Sequence, residues 1–219
     1  MKVGTDAVLL GAWTTLEHLP QTILDIGTGT GLLSLMLAQR SNAEIIDAIE
    51  IDERAYEQCV ENFETSVWAD KLFCYHAGLD EFLDEVDQTY DLIISNPPFY
   101  TEEVASGNVS RDKARQTISL PFDELLESVS KLLSDDGIFS VVVPSKEEFM
   151  FVDLAKSFNL FPKRMTRVKG NNKTPVKRVL MEFGFEDKPT KIDELVIEVE
   201  RHQYTRDYID LTKAFYLKM

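Results

Sequence analysis

Short apolar runs and helical stretches take turns along the first two thirds of the chain, and that alternation leaves few architectures open. Runs at Thr22 to Ile26, Glu44 to Ile51, Leu72 to Tyr75, Asp91 to Ser95 and Ile138 to Val143 have the length and apolar content of strands buried on both faces. Between them, Leu32 to Arg40 puts Leu32, Leu35, Met36 and Gln39 on one helical face, and Glu53 to Phe63 is polar and helical. Pro121 to Leu133 opens with proline in its first turn and carries Phe122, Leu125, Leu126, Val129 and Leu133. Strand and helix in turn predict an α/β fold: a mostly parallel central sheet, helices on both faces, right-handed crossovers. Near the end the rhythm breaks. KRMTRVKG, VKRVLMEFGF and ELVIEVE alternate or run apolar with short breaks, which predicts antiparallel strands at a sheet edge, and YTRDYIDLTKAFYL closes the chain as an amphipathic helix. No linker, repeat or low-complexity tract interrupts the sequence, so residues 1–219 read as a single domain.

Charge narrows the partners. A formal net charge of -15 argues against a general nucleic-acid binder, because a phosphate backbone repels such a surface on average. The distribution matters more: KRMTRVKGNNKTPVKR, Lys163 to Arg178, carries seven Lys or Arg and no acid, on a body otherwise rich in acids. No apolar run approaches a membrane span and the start lacks a signal-peptide pattern, which predicts a cytoplasmic protein with no membrane partner. Cys59 and Cys74 read as buried reduced thiols, and the scattered His18, His76 and His202 give no metal-ligand spacing, so no metal is expected.

ILDIGTGTGLLSLML sets Gly27, Gly29 and Gly31 where the first strand meets its helix. Glycines there let the backbone approach a ligand closely, and the helix N-terminus offers unpaired N–H groups, so a nucleotide-like ligand is expected. The third glycine comes one residue too early for a dinucleotide fingerprint. Asp25, ending the strand, suits a ligand with a positive amine better than a pyrophosphate, and Glu50, ending the second strand, is spaced to accept from both hydroxyls of a ribose. The combination D-x-G-x-G-x-G with a later strand-end Glu resembles the S-adenosylmethionine site of Rossmann-like methyltransferases. That resemblance implies S-adenosyl-L-methionine as the cofactor, held around Asp25, Gly27, Gly29, Gly31, Glu50 and Ile51.

DLIISNPPFY raises a separate question, since after Asn96 neither sheet nor helix continues. Such an exit fits a need for unpaired polar groups at the carboxyl edge of the sheet, where open α/β sheets bind ligands. Pro97 and Pro98 fix φ, which holds the Asn96 side-chain oxygen and the Pro97 carbonyl as acceptors. Two acceptors can take both hydrogens of a planar amino group and draw its nitrogen toward a tetrahedral, nucleophilic shape. The positive charge that grows there during methyl transfer is stabilised by the same dipoles. Phe99 offers a π-face for a target ring. Asn96, Pro97, Pro98 and Phe99 resemble the N-P-P-[FYW] signature of methyltransferases that modify amino groups, with Asn96 also adjoining the cofactor.

MKVGTDAVLLGAW, the glycine loop, N-P-P-F, RDKARQ and YTRDYIDLTKAFYL together resemble, over essentially the whole chain, the bacterial tRNA adenine methyltransferases that modify valine tRNA beside the anticodon. The resemblance implies a tRNA substrate methylated on the exocyclic nitrogen of the adenine 3′ of the anticodon. Thr5 and Asp6 are expected to cap a helix beginning at Ala7, with Lys2 and Thr5 near the cofactor. Arg111, Lys113 and Arg115, after the Asn96 exit, and Lys163, Arg164, Arg167, Lys169 and Lys173 in the basic segment are the expected phosphate contacts. A monomer is expected. Two departures stand out: family members usually carry more residues before Met-Lys-Val-Gly, so the chain looks clipped at its start. Gly78 also stands where related enzymes often hold an acid for the cofactor adenine, with Asp80 as the substitute. The alternatives are a glutamine methyltransferase acting on a release factor, a methyltransferase of a ribosomal-RNA base amino group, and a non-catalytic binding module.

Overall fold

A computed structural model describes residues 4–98 and 120–217. Five strands follow the predicted alternation: β1 (Thr22–Ile26), β2 (Ile45–Glu50), β3 (Leu72–His76), β4 (Tyr90–Ser95) and β5 (Leu133–Pro144). The helices α1 (Thr5–Trp13), α2 (Leu32–Arg40), α3 (Glu53–Glu64), α4 (Leu79–Glu85) and α5 (Phe122–Leu132) lie before and between them. After β5 come α6 (Glu148–Ser157), β6 (Phe161–Asn171), β7 (Val176–Gly184), β8 (Lys191–Glu200), the short β9 (Gln203–Tyr204) and α7 (Arg206–Thr212). The nine strands among the described residues join one sheet in the order β3-β2-β1-β4-β5-β7-β6-β8-β9. The first five pair in parallel, and β7 runs antiparallel to both β5 and β6.

The central strands are apolar on both faces because both are covered. In β4, Leu92 and Ile94 face the layer of α1, α2 and α3, while Ile93 faces α5 and α6, and all three are fully buried. Burying each such side chain contributes about 1.5–3 kcal/mol. Helix α1 is buried along most of its length, since the sheet lies under it, α2 beside it and the C-terminal segment over it. Arg40, the last residue of α2, secures its end by donating to the carbonyls of Gly11 at 2.5 Å and Thr14 at 3.0 Å, groups that a helix terminus leaves unpaired.

Three local expectations are corrected. Helix α1 begins at Thr5 rather than Ala7: its N-cap is Gly4, with no side-chain cap bond, and Asp6 pairs with Arg178 instead. Helix α2 buries Leu33, Ser34, Met36, Leu37 and Ala38 and leaves Gln39 exposed, because it is wedged between α1 and the sheet and so buries a wider arc than one stripe. Strand β8 runs parallel to β6, not antiparallel. Residues 185–190 cross the lower end of β6 before β8 begins, with Thr190 Oγ1 donating to the Pro162 carbonyl at 2.8 Å, so β8 starts at the same edge as β6.

Candidate active site

Strands β1 and β4 are neighbours whose connections leave in opposite directions, so a crevice opens at their carboxyl ends. A cavity of about 730 Å³ occupies it. Its walls come from the turn after β1 (Gly27, Thr28, Gly29, Thr30), the end of β2 (Glu50, Ile51, Asp52), the segment Ala77–Asp80 and the exit Ser95–Pro98. Gly4, Asp6 and Ala7 of the N-terminal segment add one flank, and Leu120 and Glu124 another.

The turn after β1 is tied to β2 by its backbone. Gly27 and Thr28 N–H both donate to the Ile49 carbonyl at 3.0 Å, and Gly29 N–H donates to Glu50 Oε2 at 2.7 Å. The other Glu50 oxygen accepts from Asp52 N–H at 2.9 Å. A carboxylate has about four acceptor sites, so capacity remains on both oxygens for a pair of ligand hydroxyls. Gly27 and Gly31 have φ of +69° and +81°, a left-handed backbone that side chains resist. A Cβ on Gly31 would also lie 2.5 Å from Phe63 Cε1 and 2.9 Å from Cys59 Sγ of α3.

Asp25 is not on the cavity wall. It is fully buried beneath the turn, where Oδ2 accepts from Thr28 Oγ1 at 2.5 Å, Ser34 Oγ at 2.7 Å and Ser34 N–H at 3.2 Å. Its Oδ1 has no partner among the described residues. Burial pushes the carboxyl up to about 6, against the lowering effect of these hydrogen bonds. The expected contact with a ligand amine is therefore corrected to a support for the turn. Thr5 is exposed in the first turn of α1 and does not line the cavity, whereas Asp6 does, and nothing in its spacing set it apart from a capping residue.

Asn96 leaves β4 beside the end of β1, because Ser95 pairs with Ile26 and donates its hydroxyl to the Ile26 carbonyl at 2.9 Å. The structure thus brings Asn96, Pro97 and Pro98 to the cavity that holds Gly27, Gly29, Glu50 and Ile51. Ile51, 56% exposed, presents an apolar face to it. Asp80 lies on the same wall, and a Cβ added to Gly78 would meet Asp80 Oδ1 at 2.7 Å. The Asp80 carboxylate therefore occupies the space that a side chain at 78 would fill. A nucleoside with a flat base, an amino group and two hydroxyls fits this set of donors and faces. Glu124 was not predicted, being one polar residue in the first turn of an amphipathic helix. Its carboxyl is raised by partial burial and by the nearby Asp80 and Asp123.

The basic segment does not stay together. Strands β6 and β7 carry its residues to opposite edges of the sheet: Lys163 and Arg164 lie at the edge away from the cavity, Lys169, Lys173 and Arg178 at the cavity edge. Arg164 stacks over the Trp13 ring at 4.1 Å, donates to the Trp13 carbonyl and the Thr15 hydroxyl, and lies 3.9 Å from buried Glu182. Arg167 grips Glu148 at 2.6 Å, and Lys169 pairs with Glu194 at 2.6 Å. Of the five residues expected to contact phosphate here, Arg164 and Arg167 are held by the buried acids Glu182 and Glu148, Lys169 pairs with the exposed Glu194, and topology turns Lys163 away, so the expectation is corrected for these four, while Lys173 stays at the cavity edge. Lys2, Phe99, Arg111, Lys113 and Arg115 lie outside the described residues. Among the described residues no cluster of His, Cys, Asp or Glu is placed to hold a metal, and no helix is long and apolar enough to cross a membrane.

Known proteins agree with this geometry. Residues 4–169 match the family model of the Methyltransferase small domain. The chain is 58% identical over its whole length to 94% of a Flavobacterium johnsoniae protein named tRNA1(Val) (adenine(37)-N6)-methyltransferase. It is 55% identical, again over its whole length, to 92% of a Christiangramia forsetii protein of the same name. In fold alone it resembles the crystal structure of a predicted O-methyltransferase from Agrobacterium tumefaciens, with a TM-score of 0.71 at 17% identity over 95% of this chain and 96% of that one. With the glycine turn, the strand-end glutamate and the Asn-Pro-Pro exit gathered around one cavity, relatives 55–58% identical along the full chain place the protein in the tRNA1(Val) (adenine(37)-N6)-methyltransferase family.

Proposed function

We propose that this protein transfers a methyl group from S-adenosylmethionine to the exocyclic nitrogen of an adenine in tRNA, the base that its relatives' name gives as adenine 37 of tRNA1(Val). The observation that carries this reading is the sharing of one cavity by Asn96, Pro97 and Pro98 with the glycine turn and Glu50. The glutamine and ribosomal-RNA alternatives lose ground against relatives of 55–58% identity that bear the tRNA name.

When bound, S-adenosylmethionine supplies an electrophilic methyl on a sulfonium centre. Gly27 and Gly29 let the backbone approach the bound molecule, supported by Asp25 and Gly31 from below. Glu50 would accept from its ribose hydroxyls, Ile51 would pack against its base, and Asp80 would accept from the base amino group in place of an acid at 78. Asn96 Oδ1 and the Pro97 carbonyl accept the two hydrogens of the target amino group. By accepting both hydrogens, Asn96 and Pro97 would weaken that nitrogen's conjugation with the ring and free its lone pair, and their two fixed dipoles would stabilise the positive charge that develops there. No strong base is required, because the methylated nitrogen becomes acidic enough to lose its proton to water.

The test is incubation with methyl-labelled S-adenosylmethionine and total bacterial tRNA, followed by digestion to nucleosides. The expected product is labelled N6-methyladenosine. Label in another nucleoside, or in added release factor and not in tRNA, would overturn the assignment.

A further inference from the structure

The carboxyl edge of the sheet is electrically lopsided. On the β2 and β3 side the cavity is walled by Glu50, Asp52 and Asp80. On the opposite side the chain returns to this edge at the end of β5, at the β6–β7 turn and at the start of β7, and each return presents an exposed lysine: Lys146, Lys173 and Lys177.

Each of the three is held in place by the fold. Ser145 Oγ donates to the Val176 carbonyl at 2.7 Å, fixing the turn that carries Lys146 against the start of β7. The turn that carries Lys173 is closed by Thr174 N–H on the Asn171 carbonyl at 3.1 Å and by Lys173 N–H on Asn171 Oδ1 at 2.9 Å. Strand β6 pairs Val168 with Arg178 and Lys169 with Val176, so Lys177 is the extra residue of a bulge. Bulges re-aim a side chain out of the ladder. The next residue, Arg178, donates Nε to Oδ2 of cavity-lining Asp6 at 2.7 Å, which makes this basic edge continuous with the cavity rim. Of the neighbouring acids, Asp6, Glu148 and Glu194 are paired with Arg178, Arg167 and Lys169, while Glu147 beside Lys146 and Glu198 opposite Asn171 also lie near this edge.

We infer that Lys146, Lys173 and Lys177 form the shelf on which the phosphates flanking the target adenine rest, so that the RNA strand enters over β5 and β7 and avoids the acidic β2–β3 side. This inference rests on the tRNA reading above. A polyanion is attracted to one side of the mouth and repelled from the other, and the shelf sets its direction of approach.

The experiment compares wild type with two charge-matched variants of the full chain. One is Lys146→Ala, Lys173→Ala, Lys177→Ala; the other is Lys131→Ala, Lys156→Ala, Lys188→Ala, whose lysines sit at the opposite edge, before β5, before β6 and in the crossing to β8. Affinity for total tRNA is measured across salt, with S-adenosylmethionine affinity as a check on the cavity. Loss of three phosphate contacts should flatten the log affinity against log salt slope by about 2 and weaken binding at least tenfold at low salt. The control should keep the wild-type slope, and all three proteins should bind S-adenosylmethionine alike. A shelf variant with the wild-type slope, or a control that loses as much, overturns the shelf while leaving the tRNA reading intact. A wild-type protein that neither binds nor methylates tRNA overturns the reading itself, and the shelf with it.

Discussion

Two carboxylates beside one glycine turn have different work, and their position separates them. Glu50 meets the cavity, while Asp25 lies fully buried below with one oxygen committed to Thr28 and Ser34. Because the folded Asp25 carboxyl is raised from 3.8 to about 6, the folded protein holds that proton more tightly than the unfolded chain does. The stability this lends is complete below about 4 and is lost as pH rises through about 6, a change of about 3 kcal/mol. Asp25→Asn keeps an acceptor for Thr28 and Ser34 and cannot titrate. Its unfolding free energy, followed from pH 4 to 7, should lack that part of the wild-type decline, and a profile parallel to wild type would remove Asp25 as the source. Asn96 makes the complementary case: Asn96→Ala removes one preorganised dipole and should lower kcat by roughly 100- to 1000-fold. Calorimetry should find S-adenosylmethionine affinity nearly unchanged, and a parallel loss of cofactor binding and thermal stability would give Asn96 a structural role instead.

The strand-turn-helix unit of β1 and α2 was legible in the sequence because its demands are local. A strand of apolar residues, three glycines and a helix with Arg40 at its end announce themselves within a few positions. The glycines nevertheless serve unlike purposes, which only packing against α3 reveals. Gly27 and Gly31 share a positive φ, but a Cβ on Gly27 would meet nothing within 4 Å, whereas one on Gly31 would overlap Phe63 and Cys59. Gly27→Ala should therefore cost about 1–2 kcal/mol of stability from backbone strain alone. Gly31→Ala adds overpacking of typically 1–3 kcal/mol. Chemical denaturation of both variants measures the difference, and equal costs would mean that α3 yields freely. Helix α4 and helix α6 were not anticipated: one is short, and the other presents Phe149 and Met150 to solvent, which blurs its apolar face.

At the scale of the whole molecule, an acidic protein acquires a basic rim by splitting one basic segment across the sheet. Arg164, carried to the far edge, belongs to the core: it covers Trp13 and stands beside Glu182, whose carboxyl burial raises. Arg164→Ala removes the nearest cation from that buried acid, with Lys163 and Arg40 still nearby, and should destabilise the fold by roughly 1–3 kcal/mol. Its tRNA salt slope should match wild type when measured well below the unfolding temperature. A flattened slope with unchanged stability would restore Arg164 to the RNA surface. The alternation of β1 to β5 with α2, α3 and α5, the glycine turn and the Asn-Pro-Pro exit were determined by the sequence alone, since period, backbone φ and turn chemistry act over a few residues. Which carboxylate reaches the cavity, and which bases stay free for RNA, was decided only by tertiary structure. Those outcomes depend on contacts such as Trp13 Nε1 to Thr166 Oγ1 at 2.8 Å, between residues far apart in the chain, and on the crossing at residues 185–190 that sets β8 parallel to β6. Local pattern shows that a residue is charged; the edge it reaches and the acid it meets follow from strand register, which long-range packing sets.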